Sequence, residues 1–206
     1  WVQGLGELHA AAVRNSTNWN NRYTKHIRLT AICGLILDRD DWVELAQQGV
    51  KKFVDNSLYS DGTSYDLYQR DTLTYHGSAL KPIIELAMLL GPKGYALYRW
   101  ESECGASLKK SVDYVVPFAS GEKQREEWTN SKVSLDKARA EAGLEHYKRG
   151  KLFEPEQALE LLERASFFDD SLIPLVLELR GSNAKQYASW QMLINAVAKS
   201  STGCSP

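Results

Sequence analysis

Asn21-Arg22-Tyr23-Thr24-Lys25-His26-Ile27-Arg28-Leu29-Thr30-Ala31-Ile32-Cys33-Gly34-Leu35-Ile36-Leu37 is the stretch that decides the fold. Its two halves differ in kind. Leu29 to Leu37 is apolar nearly all round, the pattern of a helix buried on every side. Asn21 to His26 is polar nearly all round. The stretch predicts a helix from about Asn20 to Leu37 that ends in a core and starts at a polar cavity. Arg22 and His26 lie one turn apart, as do Asn21 and Lys25. A helix start adds free N–H groups and a partial positive charge. Cations and an amide gathered there suit a carboxylate ligand. The competing reading is a merely solvated first turn.

Working outward, Asp38-Arg39-Asp40 ends this helix and caps the next. Trp42, Leu45, Ala46, Val50, Phe53 and Val54 recur at helical spacing with polar residues between them, which predicts a one-sided outer helix. The pair forms an antiparallel αα-hairpin. Upstream, Leu5, Leu8, Ala12 and Val13 predict a short helix, broken by Asn15 to Asn18. Downstream, Ser60-Asp61-Gly62 is a turn. Ser64 to Gly77 shows neither helical nor strand periodicity and reads as a loop rich in Tyr65, Tyr68, Arg70, Tyr75 and His76. Such loops on a helical scaffold carry function. A buried, hydrogen-bonded side chain is the alternative for any one of them. Helix returns around Leu80, with Pro82 suited to its first turn.

Helical pieces are then predicted at Tyr95–Glu103, Ser107–Val116, Leu135–Tyr147, Pro155–Phe167 and Lys185–Lys199. Glu122 to Asn130 reads as charged and exposed, with Trp128 conspicuous in it. No strand run and no fixed repeat period is evident. The fold class expected is all-α, an (α/α) toroid or incomplete barrel of antiparallel helical hairpins in a single domain over residues 1–206.

Composition narrows the function. Lys+Arg 25 against Asp+Glu 26 gives a net charge of -1, so nothing suggests a nucleic-acid or membrane surface. There is no zinc spacing, P-loop or dinucleotide fingerprint, and His9, His26, His76 and His146 are scattered. No metal or cofactor is implied. Of the three cysteines, Cys33 reads as a buried thiol, while Cys104 and Cys204 are a candidate pair. Asn15-Ser16-Thr17 is a glycosylation sequon. Trp1 opens inside a predicted helix, so a preceding segment is expected: a signal peptide, more of the domain, or both.

Paired carboxylates of the glycosidase kind are missing from the two polar clusters. Asp66 and Asp71 are the acids there, with Asp71 expected to pair with its neighbour Arg70. What remains is an amide, cations, imidazoles and phenols, a set suited to β-elimination on a uronic acid. That reaction needs the carboxylate beside C5 neutralised, a base for the C5 proton, and an acid for the leaving oxygen. Asn21 and nearby cations suit the first task. Tyr75, His26 or His76 suits proton transfer. Trp19, Tyr23, Tyr65 and Tyr68 offer flat faces for sugar rings.

Asn18 to Leu90 resembles the alginate lyase superfamily of polysaccharide lyases. The resemblance rests on Asn20-Asn21 at an inner-helix start, then Arg70, Tyr75-His76, Ala79-Leu80 and Pro82. It implies an (α/α) toroid that cleaves an acidic polysaccharide. It also implies that Asn21 neutralises the substrate carboxylate, Tyr75 is acid and often base, and Arg70 supports Tyr75. Two departures point to a divergent branch, with glucuronan or another polyuronate as candidate substrate. Arg22 stands where a His follows the Asn, with either His26 as its replacement or Tyr75 alone as the base, and the Arg before Tyr75 is shifted. The expected catalytic set is Asn21, His26, Arg70 and Tyr75. Trp19, Asn20, Arg22, Lys25, Tyr68 and His76 are expected to bind substrate. A secreted enzyme is expected, with a second chain or an N-terminal segment completing the toroid. The alternatives are a non-catalytic carbohydrate-binding or structural toroid, and an unrelated α-solenoid interaction module.

Overall fold

The computed structural model describes residues 1–181 and 189–202. The decisive stretch forms α2 (Asn21–Ile36), which packs against α1 (Val2–Asn15), α3 (Asp40–Ser57) and α5 (Leu73–Leu89). The start of α2 is fixed by Asn20. Its side-chain oxygen accepts hydrogen bonds from the backbone N–H of Arg22 at 2.9 Å and of Tyr23 at 3.4 Å. An N-cap of this kind contributes about 1 kcal/mol by satisfying donors that no helical carbonyl reaches. The burial expected at the far end is not met. Leu35, Ile36 and Leu37 are 43%, 61% and 37% exposed. The chain reverses there through Asp38 (φ 51°), so α3 covers only one side of the last turn. Burial falls instead on Tyr23, Thr24, Ile27, Thr30, Ala31, Cys33 and Gly34.

Helix α3 is one-sided as expected, burying Trp42, Ala46, Val50, Phe53 and Val54. The stretch Ser64 to Gly77 is not a loop. It holds α4 (Tyr65–Arg70) and the first turn of α5. Ser64 caps α4 by accepting from Leu67 N–H at 3.2 Å. Asp71 ends it in the left-handed conformation, and Thr72 caps α5 by accepting from Thr74 N–H at 3.1 Å. Two helix starts and a stop packed this closely leave no run long enough to show a 3.6-residue period. The same caps explain Pro82. The start of α5 is set well upstream of it, so Pro82 lies inside the helix, where its missing N–H leaves the Ser78 carbonyl without a helical donor.

Beyond α5 come α6 (Pro92–Arg99), α7 (Leu108–Asp113), α8 (Val116–Ala119), α9 (Ser134–Glu141), α10 (Leu159–Ala165), α11 (Ile173–Leu179) and α12 (Trp190–Thr202). Short 3₁₀ turns lie at Glu145–Tyr147, Pro155–Ala158 and Asp170–Leu172. The predicted Leu135–Tyr147 helix is thus split into α9 and a 3₁₀ turn. The first residues of the predicted Lys185–Lys199 helix and the Cys104–Cys204 pairing fall outside the described residues. A two-stranded antiparallel ladder pairs β1 (Glu126–Glu127) with β2 (Lys151–Leu152). Glu127 and Trp128 are buried, against the exposed segment expected there. Among the described residues the fold is all-α apart from this ladder and a single bridge between Leu58 and Ser64. Among the described residues no helix is long and apolar enough to cross a membrane.

One hydrophobic core runs from Val13 to Val176 and is densest along α5, where Ala79, Leu80, Ile83, Ile84, Leu86 and Ala87 are wholly buried. Each large aliphatic side chain there contributes roughly 1.5–3 kcal/mol by leaving water. A smaller cluster of Ala10, Cys33 and Trp42 joins α1 to α2 and α3. Gly6 makes that joint possible, because a Cβ at position 6 would run into the Trp42 ring, whereas one at Gly4 meets nothing within 4 Å. Gly4→Ala should therefore stabilise the chain by up to about 1 kcal/mol through helix propensity. Gly6→Ala should destabilise it by roughly 1–3 kcal/mol through overpacking. Urea midpoints of the two variants check this; equal shifts of the same sign would refute the close α1–α3 approach.

Candidate active site

The start of α5 carries Tyr75, and the end of α4 carries Arg70. The Arg70 guanidinium carbon lies 3.8 Å from the centroid of the Tyr75 ring. Its Nη1 donates to Asp136 Oδ1 at 2.8 Å, and Asp136 Oδ2 accepts from the Ser131 hydroxyl at 2.9 Å. The Arg70 and Asp136 side chains are only 17% and 2% exposed. The cation is therefore fixed on both sides, by a carboxylate and by a ring face.

Residues 125–132 form a strap across the α4–α5 junction, and Asp71 anchors it. The Asp71 carboxylate pairs with Arg125 and accepts from Asn130 N–H at 2.8 Å. The Asp71 carbonyl accepts from Trp128 N–H, and the Gln69 carbonyl from Lys132 N–H, both at 2.8 Å. The expected Arg70–Asp71 pair is thus replaced by Arg125–Asp71 and Arg70–Asp136. Within the strap, Glu127 accepts from Leu73 N–H at 2.5 Å and so holds the first turn of α5. Burial raises the Glu127 carboxyl above its ordinary range, against these hydrogen bonds.

The strap sets Trp128 edge-on to Tyr75, with centroids 5.9 Å apart and planes at 88°. On the other side of Trp128 stands Tyr147, at 4.9 Å. The Tyr147 oxygen accepts from Arg139 Nη1 at 2.7 Å. Burial first, and the nearby Tyr75 phenol second, push the Tyr147 phenol up. A cavity of about 670 Å³ opens beside this group, its wall including Trp128, Lys132, Lys137, Tyr147 and Arg149.

Asn21 reaches the same part of α5 from the opposite side. Its backbone N–H donates to Asp66 Oδ2 at 2.8 Å, and its side-chain amide donates to Ser78 Oγ at 3.5 Å. Ser78 sits one turn after Tyr75, on the same helix face. Burial pushes the Asp66 carboxyl up to about 6, with the Asn21 N–H and the Arg70 charge opposing it. The structure therefore gathers Asn21, Arg70 and Tyr75 around one turn of α5.

The remaining candidates scatter. His26 is five positions after Asn21, about 140° further round a 3.6-residue helix. It faces α1, where its Nδ1 lies 2.7 Å from His9 Nδ1. Burial first, and the His26 charge second, lower the His9 imidazole. His26 and Arg22 line a separate cavity of about 370 Å³ with Asn15, Asn18 and Asn20. Asn20 is occupied as the α2 cap. Trp19 packs on the core, and its carbonyl accepts from the Ser57 hydroxyl. Lys25 is exposed on α2. Tyr68 is 64% exposed, with Lys132 Nζ 3.4 Å from the centroid of its ring.

His76 requires a correction. It is 0% exposed, and both ring nitrogens are taken. Nε2 lies 2.8 Å from the Ser111 carbonyl, so Nε2 carries the proton, and Nδ1 accepts from the Ser64 hydroxyl at 2.8 Å. Burial, aided by the charge of Arg125, lowers its pKa to about 4 despite the Ser111 bond. His76 ties α5 to α7 and to the α4 cap and is not presented to a substrate.

Residues 1–128 match the family model described as alginate lyase. The chain belongs to the alginate lyase family. No curated protein and no solved structure matches it. Membership implies a polysaccharide lyase acting on acidic polysaccharide. The alginate lyase match contains Asn21, Arg70, Tyr75 and the strap up to Trp128. Asp136, Arg139 and Tyr147 lie beyond it, and the sequence reading passed over them. The available signal was Gly143. It takes φ 77°, as a C-terminal glycine does, and it frees Glu145–Tyr147 from α9 to turn back onto Trp128.

Two outcomes follow for this alginate lyase family member. Asp136→Asn removes the charge that faces a mostly buried guanidinium and should cost on the order of 3 kcal/mol. Asp41→Asn, at the half-exposed Arg39–Asp41 pair, should cost far less, because water screens that pair. Urea denaturation of both checks the contrast, and equal small costs would show Arg70 to be solvated. The second concerns pH. The folded His76 value lies below its ordinary one, so its contribution is full above about pH 6.5 and is lost as pH falls towards 4. Asp66 acts oppositely, gaining stability as pH falls through about 6. In an Asp66→Asn background, stability should therefore fall by up to about 1.4 kcal/mol per pH unit within that window. A flat profile there would mean that His76 is free to charge in the fold.

Proposed function

We propose that this protein cleaves a polyuronate, alginate or glucuronan, by β-elimination, with Tyr75 transferring the proton, Arg70 supporting Tyr75 and Asn21 neutralising the carboxylate. The observation that carries this reading is the placement of an amide, a guanidinium and a phenol around one turn of α5. Tyr75 and Asn21 are both part-exposed, so a sugar can reach them.

The chemistry balances on these groups. The Asn21 amide donates to the uronate carboxylate and spreads the charge that builds when C5 loses its proton. A base takes that proton, the C4–O bond breaks, a C4=C5 double bond forms, and the leaving oxygen is protonated. Tyr75 is the group suited to both proton steps on one face of the sugar, accepting from C5 and giving to the leaving oxygen. The histidines favour this economy. His76 has both nitrogens engaged in the core, and His26 is engaged with His9 on another face. Lys132, Lys137 and Arg149 around the adjoining cavity suit a polyanionic chain. We further place the protein outside the cell, where polyuronates are met, and read its hairpins as part of an (α/α) toroid.

The test is an ultraviolet assay for the unsaturated uronate product on alginate, polymannuronate, polyguluronate and glucuronan. At least one should be cleaved. Tyr75→Phe should lower kcat by roughly 10²–10⁴-fold, and Asn21→Ala by roughly 10²–10³-fold. His26→Gln should stay within about threefold of the parent; a loss as large as that of Tyr75→Phe would make a histidine the base. Binding of these polymers without cleavage would leave a carbohydrate-binding protein and defeat the lyase reading.

A further inference from the structure

The backbone donors from Asn21 to Thr24, at the start of α2, are all taken within the chain. Asn20 Oδ1 accepts from Arg22 N–H and Tyr23 N–H, and the Asn20 carbonyl accepts from Thr24 N–H at 3.3 Å. The remaining donor of this turn, Asn21 N–H, goes to Asp66 Oδ2 at 2.8 Å. The N–H groups that a helix start leaves open are thus closed to a carboxylate. What remains to meet one is the Asn21 side-chain amide. Its nitrogen carries two N–H groups, so one can point to Ser78 Oγ, 3.5 Å away, while the other meets a ligand. Ser64 caps α4, and the Asp66 carboxylate reaches 45 positions back along the chain to α2. Asp66 is 4% exposed. A buried carboxylate is costly unless hydrogen bonds offset its lost water, and burial holds this one up at about 6. A charged acceptor holds an N–H more closely and more strongly than a neutral one. The bond therefore fixes the first residue of α2, and that residue is Asn21.

We propose that Asp66 is a positioning residue, whose bond to the Asn21 N–H fixes the backbone from which the Asn21 amide is aimed at the substrate carboxylate. This rests on Asn21 as the group that neutralises the uronate in the lyase reading. Asp66 is buried and does not touch the sugar. With the backbone donors of the turn closed, a shift of Asn21 is not made good by a neighbouring N–H. The aim of one side chain then decides how well the carboxylate is held. Asp66 and Arg70 lie four positions apart on α4. The same short helix thus anchors the amide of α2 at its first turn and carries the guanidinium over Tyr75 at its last. The groups that bear on the Asp66 charge are the Asn21 N–H from α2 and Arg70, with Asp136 behind it.

The experiment uses the full chain with Asp66→Ala, Asp66→Asn, Asn21→Ala and the double variant Asn21→Ala/Asp66→Ala, and two readouts. The first is the backbone amide resonance of Asn21 in protein carrying isotopically labelled asparagine, recognised by its loss in Asn21→Ala. It should move with pH in the parent, with a midpoint at about 6, and stay still in Asp66→Asn. The second is kcat and KM on whichever polyuronate the parent cleaves, at a temperature where circular dichroism shows every variant folded. Asp66→Ala should lower kcat roughly 10–10²-fold with KM within about threefold. Asp66→Asn keeps an acceptor oxygen and should recover all but about threefold. In the Asn21→Ala background, Asp66→Ala should cost less than about twofold more, because the amide that it aims is gone. Full kcat in Asp66→Ala, or losses that multiply in the double variant, overturn the proposal even if cleavage itself is strong. An Asn21 resonance that does not move in the parent overturns it as well. A resonance that follows Asp66 in a protein that cleaves no polyuronate upholds the anchor and defeats the lyase reading instead. Should Asp66→Ala fail to fold, the parent and Asp66→Asn carry the resonance test on their own.

Discussion

The Asp71 carboxylate holds the site together. Asp71 ends α4 in the left-handed conformation, which Asp and Asn reach at less cost than most residues. From that position its side chain binds Arg125 and the Asn130 N–H, while its carbonyl binds the Trp128 N–H. The residue before it is Arg70, and Tyr75 stands just after it at the start of α5. One residue thus sets the angle between the helices that carry the guanidinium and the phenol. It also pins the strap that covers both. The burial of Trp128 and Glu127, and the seating of α5 on Glu127, follow from that anchor.

Buried charge around this anchor is used in two ways. Asp66 and Glu127 sit at the starts of α2 and α5, where backbone N–H groups and the helix dipole favour a carboxylate, yet burial raises both carboxyls. They hold helix starts at a desolvation cost that their hydrogen bonds only partly offset. Arg70 and Asp136 cancel each other within the site. Beyond the Arg70–Asp136 pair the cavity wall carries Lys132, Lys137 and Arg149 against the single carboxylate of Glu141, so cations outnumber acids there even though the chain as a whole is near neutral. Net charge is silent about such a patch because it sums over the whole surface.

The helical class and the α2–α3 hairpin were legible because a long 3.6-residue period survives from Trp42 to Val54. Asn21, Arg70 and Tyr75 were legible as polar residues that the period could not explain, and the structure does bring them to one turn of α5. The short helix α4 was not legible, since caps at Ser64 and Thr72 leave it too brief to show a period. His26 lies on another face of α2 from Asn21, since five residues turn a helix well past a quarter circle. His76 was misjudged because a neutral, doubly bonded core histidine has the same letter as an exposed one. Tyr147 and Arg139 were missed because their approach depends on a chain reversal at Gly143 and on tertiary contacts with Trp128, which no local pattern encodes.

The end of the family match falls at Trp128, and the site does not stop there. Were the chain to end at that residue, Arg70 would lie over the Tyr75 ring with no carboxylate behind it, and a mostly buried guanidinium without its partner is strongly unfavourable. Trp128 would lose the Tyr147 ring that packs against it. The segment from Ser131 to Tyr147 therefore completes the electrostatics of residues that the matched part supplies. Asp136 neutralises the cation, and Tyr147, held by Arg139, backs the Trp128 ring that stands edge-on to Tyr75. The ladder of β1 with β2 closes this segment back onto the strap, Glu126 opposite Leu152 and Glu127 opposite Lys151. A two-residue ladder is too short to be stable alone, so its persistence depends on the contacts at Asp71 and Asp136 that it in turn holds in register.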